Sequence, residues 1–560
     1  MIQVTRYIKL SSLVLGALLF LVPTLGLAQE QWESEGEIEN VEIEIIKERQ
    51  IVLPKASRNF EKVPPRPVEP IKPEISYEFS NLKFSTPDYN PQIRPLKLKQ
   101  EEISKIYGNY LSAGFGNYSA TYLEGWFNSK RDKNKFYGAH IYHNAFGKGP
   151  VDDRNSGSKN STISVFGKAY SKSWATGGLI NYENVGGYFY GYKPTASELN
   201  RETFRQSYNI SSVGVDIENV KPVDFNVAFK ANFSFLNDFY KAKESEVALN
   251  FKSDYSISEK SKLDFGADYF LIARKDSLRD ATPRHLLKIK PAYRFEAVDK
   301  LWLTIGLNTA LENDALSERK SFHVYPNLKA DYKLGESINA YAGVTGDMDK
   351  VSLHTLSREN FWIGKNLDIF HTNRSIDFFG GLKGKLGRKA GFGVGASYAN
   401  LKGLYFYQNS SINRAKFDVI YDNGNTQRAN LFMELSLAHT DVVKMNLRGD
   451  YFSYSTDQLQ EAFHRPKYRV RYNSTFSIYK KLFLNADFIA QGGSKAYDIE
   501  TLKVVELKPA LDLNFKVDYF VSKQFSAFLK FNNLLSNQYQ VYLNYPVRGF
   551  QVMGGIGWSF

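Results

Sequence analysis

The sequence predicts an all-β membrane protein: a transmembrane antiparallel β-barrel of about 22 strands behind a largely disordered N-terminal arm. Three observations predict it. The chain opens with an export signal. From about Tyr107 onward it alternates apolar and polar residues in short stretches, with short turns and long loops taking turns between them. Its final run, Gln551 to Phe560, places Val552, Gly554, Ile556, Trp558 and Phe560 on one face and ends on an aromatic residue.

The first 28 residues have the layout of a secretory signal. Arg6 and Lys9 supply positive charge, Leu13–Val22 is unbroken apolar sequence, and Gly26-Leu27-Ala28 offers small residues before a cleavage point at Gln29. The apolar run is short for a permanent anchor. Beyond it no stretch of 18 uncharged apolar residues occurs and mean hydropathy is −0.39, which argues against helical membrane spans. Yet 15% of residues are Phe, Tyr or Trp, the types that form girdles at the two membrane surfaces of a barrel. There is no cysteine, so disulfides, thiol chemistry and a thiol-borne lipid are excluded.

Residues 29–106 differ in kind. Glu30 to Glu48 holds eight glutamates and residues 54–95 hold nine prolines, including Pro64-Pro65-Arg66-Pro67. Such a segment reads as an extended, disordered arm with polyproline character. Placed ahead of the barrel, it is expected in the periplasm. Val41-Glu-Ile-Glu-Ile-Ile46 alternates like a strand and would suit the edge of a periplasmic partner's sheet; as a mixed-charge stretch it would equally stay unstructured.

The barrel is expected over 107–560, with its first two strands near 108–118 and 119–130. Short polar turns at 219–222, 258–260, 298–300, 335–337, 387–389, 479–481 and 521–523 alternate with longer stretches at 146–159, 190–205, 276–283, 351–373, 410–426, 493–503 and 537–547. Short turns are expected at the periplasmic end and long ones outside, and an even strand number returns both chain ends to the periplasm.

Three stretches set the strand faces. In 443–451, 467–478 and 507–519, apolar residues such as Met445, Leu447, Val470, Leu511 and Leu513 oppose charged ones. A Lys or Arg facing lipid at mid-bilayer costs roughly 2–4 kcal/mol, so the charges should point inward. Lys444, Arg448, Lys467, Arg469, Arg471, Lys508 and Lys516 then form a candidate lumen-facing basic band. It would select anionic solutes or an acidic segment such as the Glu-rich arm. Alternatively Asp450, Asp512 and Asp518 simply balance it. The net charge of +13 fits lipid phosphates or anionic solutes, or is carried by solvated loop lysines. An exported barrel meets no nucleic acid.

Signs of catalysis are lacking. His140 and His143, three apart in a strand, should point to opposite faces, and Glu461 with His464 falls in a loop beside Pro466 rather than on a helix. No Gly-x-Ser-x-Gly elbow occurs, and no cofactor or metal is expected.

The C-terminal sequence carries a family likeness. Phe531-Asn-Asn-Leu-Leu535, then Tyr539, Tyr545-Pro546 and Arg548-Gly549, then the strand to Phe560, resembles the end of TonB-dependent outer-membrane receptors. Gly114-Phe-Gly116-Asn-Tyr118-Ser-Ala-Thr121 resembles the first hairpin of that family's barrel. The resemblance implies an outer-membrane barrel surrounded by lipid and inserted by the barrel-assembly machinery, with Trp558 and Phe560 as the C-terminal assembly signal. The family's plug has no evident counterpart in 29–106, and Val41–Ile46 only loosely resembles the motif that engages TonB, so TonB engagement stays open. Uptake or passage of a solute is the expected function. A scaffold recruiting periplasmic partners through the arm is the alternative. A barrel of this size would leak if open, so in-folded loops, the arm or another protein should close it.

Overall fold

A computed structural model describes residues 107–560 except 194–199, 221–223, 279, 281–282, 315–320 and 440–441. The expected signal, arm and Val41–Ile46 patch lie outside the described residues. Among those described, 22 antiparallel strands form one closed ring in which each pairs with its sequence neighbours along the ring, and the last (Gln551–Ser559) pairs with the first (Asn109–Gly116). The seam is sealed at its end by Asn109 N–H donating to the Phe560 carbonyl (3.2 Å) and Phe560 N–H donating to the Asn109 carbonyl (3.1 Å). Closure leaves no unpaired strand edge, which a backbone in hydrocarbon cannot tolerate.

Strand faces follow the two-residue period. Ile163 and Val165, Val213, Val215 and Ile217, and Ile305 and Leu307 all stand exposed on the outer face. In the last strand Ile556 and Trp558 point outward while Met553 is buried. Exposed aromatics on this face gather at the short-turn end: Tyr137, Trp174, and Phe225 opposite Tyr255. An apolar belt with an aromatic girdle marks a lipid-facing surface. Trp558 stacks on Phe560 at 4.2 Å within that girdle. We expect Trp558→Ala with Phe560→Ala to lower the amount of inserted barrel severalfold, read as heat-modifiable band intensity. Undiminished insertion would remove these two rings from the assembly signal.

The expected turns all fall at one end. The tightest use left-handed backbone: Gly387 has φ 68° with open space around its Cα, and Tyr479 and Lys480 both have positive φ, as two-residue hairpins require. At the other end, two of the long stretches contain structure that the alternation did not show. Tyr405–Asn409 pairs with Phe417–Tyr421, and Lys495–Asp498 with Lys503–Glu506, as small hairpins outside the ring. The loop expected at 410–426 therefore spans 403–424 and begins earlier, because its first half is itself a strand. Leu507, expected on the lipid face, is buried: it precedes the strand Ala510–Phe520, and Pro509 separates it from the ladder.

The luminal face is polar and internally paired. Lys168 meets Glu218 at 2.6 Å, and Lys288 and Lys290 both approach Asp347, at 3.2 and 2.9 Å. His140 faces the lumen beside Glu124, while His143 bonds Ser161 on the outer side, so the two histidines do point opposite ways.

Candidate functional site

The long loops do not stand away from the barrel. They turn inward and meet over its mouth. The largest contributor is 350–371, which joins the thirteenth strand (Ile338–Asp349) to the fourteenth (Thr372–Leu386). It contains a short helix, α1 (Leu353–Glu359). Ser352 caps it, its hydroxyl accepting from Thr355 N–H at 3.2 Å, and Leu353 and Leu356 on one face are buried.

Carboxylates on the barrel wall hold this loop down. Glu244, 2% exposed, accepts from the N–H groups of Leu353 (2.7 Å) and His354 (2.9 Å), the free donors at the start of α1. Glu246, two residues on and therefore on the same face, pairs with Lys350 at 2.5 Å. Arg358 pairs with Glu183 of the strand Trp174–Tyr188. That strand is fifth in the ring, eight places from the thirteenth out of 22. A loop rooted on one side of the barrel is thus clamped to the wall far around it, and so crosses the lumen.

Above α1 lies an aromatic cluster contributed by several loops. Trp362 stacks on Tyr545 with ring centroids 4.0 Å apart, and its Nε1–H donates to the Tyr188 carbonyl at 3.1 Å. Tyr190 meets Tyr545 at 4.7 Å. Phe417, fully buried, packs on Tyr542 and Tyr545. Two charged nodes tie the loops together. Glu359 accepts from the Tyr405 hydroxyl at 2.5 Å and from Arg465 at 2.7 Å, and its backbone carbonyl accepts from the Tyr542 hydroxyl. On the rim, Glu500 pairs with both Lys193 and Arg414.

Electrostatics follow from this enclosure. Burial alone would depress the Arg465 guanidinium, but Glu359 and the tyrosines around it hold its pKa above the ordinary value. His464 has no such acidic partner. Burial pushes its pKa down to about 4, the Val541 carbonyl at 3.2 Å opposing and Arg465 adding to the effect. Glu461 instead pairs with Lys495, so the Glu461 and His464 pair does not converge. Among the described residues no cluster of metal-ligating side chains occurs.

The basic band is divided by the structure. Arg448 is bound by Asp450 and by Glu434, and Lys516 by Asp518 at 2.8 Å. Arg469 donates to Gln491. Lys467 and Lys508 lie just before the strands Tyr468–Ile478 and Ala510–Phe520, at the loop end, each beside a proline. Arg471 is exposed beside Arg448 in the ladder. Toward the short-turn end, Lys444 and Lys516 line a luminal concavity with Lys530, which the sequence reading missed, and with Asn446, Asn473 and Asp487. Exchanging Lys444, Lys516 and Lys530 for Glu is expected to move ion selectivity toward cations, by roughly twofold or more in permeability ratio. The reversal potential in a KCl gradient measures it; an unchanged value would place these lysines off the conduction path.

Glu183, Glu244, Glu246, Glu359, Trp362 and Arg465 also escaped the sequence reading. One signal was present: Glu244-Ser-Glu246 puts two carboxylates on one strand face, where the lumen would need a partner for them.

No protein-family model and no curated protein sequence matches the chain. Solved structures do. The FrpB iron transporter from Neisseria meningitidis superposes with a TM-score of 0.62 at 10% identity, covering 82% of each chain. The ferric-catecholate import receptor Fiu from K12 E. coli gives 0.60 at 9% identity, with 81% of this chain and 82% of that one covered. P. aeruginosa FpvA, solved with bound pyoverdines, gives 0.60 at 12%, covering 81% and 72%. The barrel therefore has the fold of these outer-membrane receptors, and so resembles in architecture the TonB-dependent family that its two ends resemble in sequence.

Proposed function

We propose that this protein is an outer-membrane barrel for uptake of a solute, gated by its own extracellular loops and lacking a separate folded plug. The observation that carries this reading is the loop 350–371, clamped across the lumen by Glu183, Glu244 and Glu246. A wide barrel whose mouth is closed by ionic and aromatic contacts, rather than by an unbroken wall, is suited to opening on demand. The solved barrels of like fold are named as iron transporters and siderophore receptors, which supports import of a small solute over catalysis. The arm 29–106 is assigned to the periplasm, where it would recruit the partner that drives opening.

The closed mouth also favours a second reading, a scaffold whose lumen never conducts. Paired measurements separate the two. Uptake of labelled solutes by cells with and without the protein should differ, and the purified barrel in a planar bilayer should conduct weakly until the loops are disturbed. Stable co-purification of one stoichiometric partner, with no solute taken up, would establish the scaffold instead.

A further inference from the structure

Beneath the aromatic cluster, a cavity of about 480 Å³ opens between the barrel wall and the in-folded loops. That volume falls within the roughly 300–1,000 Å³ of small-molecule sites. Its upper side is aromatic: Phe361 and Trp362 from the crossing loop, Tyr188 and Tyr190 from the fifth strand and its loop, and Tyr539 from the last loop. Its wall carries an unusual set of acceptors. Asn144 and Asn160 sit opposite each other in the ladder, and Asp512 lies on the strand Ala510–Phe520. In each of the three, one Oδ1 is buried and has no hydrogen-bond partner. The Asp512 Oδ2 is already taken by the Tyr539 hydroxyl at 2.7 Å.

A buried acceptor left unpaired is costly, and native structures seldom keep one without a reason. Three around one cavity call for a guest rich in donors. Charge narrows the guest further. Asp512 and the two bare amide oxygens repel an anion. The guanidinium in the lining, Arg548, is committed to the Lys148 carbonyl (3.2 Å), the Ser158 hydroxyl (2.7 Å) and the face of Phe146 (4.2 Å). Its positive charge disfavours a cation. What remains is a neutral molecule with many hydroxyl donors and apolar C–H faces to lie against aromatic rings.

We propose that this cavity binds a segment of a neutral glycan, with Asn144, Asn160 and Asp512 accepting from its hydroxyls and Trp362 and Tyr188 stacking on its sugar rings. The proposal names a substrate class for the uptake reading and rests on that reading for its biological role. Binding is measured without transport, so the two can fail separately.

The test is calorimetric titration of the full-length barrel, refolded in a detergent without a sugar headgroup. Four neutral hexasaccharides (malto-, cello-, xylo- and mannohexaose) would be compared with hexagalacturonate, an anion, and chitosan hexamer, a cation. At least one neutral hexasaccharide should bind, and more tightly than either charged one. Asn144→Leu with Asn160→Leu, which keeps side-chain volume and leaves the loops untouched, should weaken it tenfold or more. Heat-modifiable migration shows that the variant is folded. Should it fail to fold, Asp512→Asn, which retains an acceptor for Tyr539, takes its place and should weaken binding at least threefold. Failure of all four neutral probes, or binding indifferent to these substitutions, overturns the proposal. Preference for a ferric catecholate at this cavity would also overturn it, while leaving solute uptake standing.

Discussion

Replacing residues 352–366 with a short Gly-Ser linker is expected to turn a weakly conducting barrel into a wide pore, raising single-channel conductance on the order of tenfold. The reasoning is geometric. The excised segment contains α1 and Trp362, the parts that cross from the thirteenth strand to the fifth. The ladder between the thirteenth and fourteenth strands runs from Ile338↔Gly384 to Asp349↔Thr372 and lies outside the cut. The barrel should therefore still form, with Glu183 and Glu244 released into water, where unpaired carboxylates cost little, while Glu246 keeps Lys350 outside the cut. Substituting all three by Gln tests the same clamp more gently and should raise the frequency of opening rather than its size. Unchanged conductance in the deletion would show that something other than this loop occupies the lumen, and the acidic arm would be the next segment to remove.

Lowering the pH from 7 to 5 is expected to loosen the same closure through His464. Burial holds this imidazole neutral in the closed state, with a pKa of about 4. Once the loops part, it should return to the ordinary value near 6.5. The open state then binds more protons than the closed one between those two pKa values, so closure weakens as pH falls through that window and is unaffected above it. Between pH 7 and pH 5 the difference is about 2 kcal/mol, an increase in open population of roughly twentyfold. The groups packed on His464 are Phe417, Tyr542 and the Val541 carbonyl, with Arg465 and its partner Glu359 next to them. The informative comparison is with His464→Gln, which stays neutral. Open probability should climb steeply between pH 6.5 and 5 in the natural protein and only weakly in the variant. Parallel profiles would remove His464 from the gate.

The barrel was legible in the sequence because a strand between lipid and water must alternate. Met445 and Leu447 against Lys444 and Arg448 can be read without knowing any contact, and the turns announce themselves by length and polarity. The gate was not legible, because its residues obey no period. Trp362, the hairpin residues Tyr407 and Phe417, and Tyr545 come from three loops and meet only when the ring has brought their roots together. Their burial looks, residue by residue, like ordinary loop aromatics. The basic band shows the boundary between the two cases. Period placed Lys444, Arg448 and Lys516 on the luminal side, yet it said nothing of Asp450 and Glu434 closing on Arg448, nor that Lys467 and Lys508 precede their strands.

The pairing pattern of the ring carries a kinetic consequence. Every ladder but the seam joins consecutive strands of the ring, with no more than a small loop hairpin between them in the chain, so the barrel can zip up strand by strand at small loop-closure cost. Arg358 and Glu183, by contrast, are 175 residues apart, and Tyr190 and Pro546 are 356 apart. Contacts of such separation become affordable only after the ring has formed, so the loops over the mouth should be the last cooperative unit to order and the first to come apart. Substitutions there can reset the gate while leaving the folding rate of the wall untouched, a separation that lets specificity drift at the mouth without endangering the barrel beneath it.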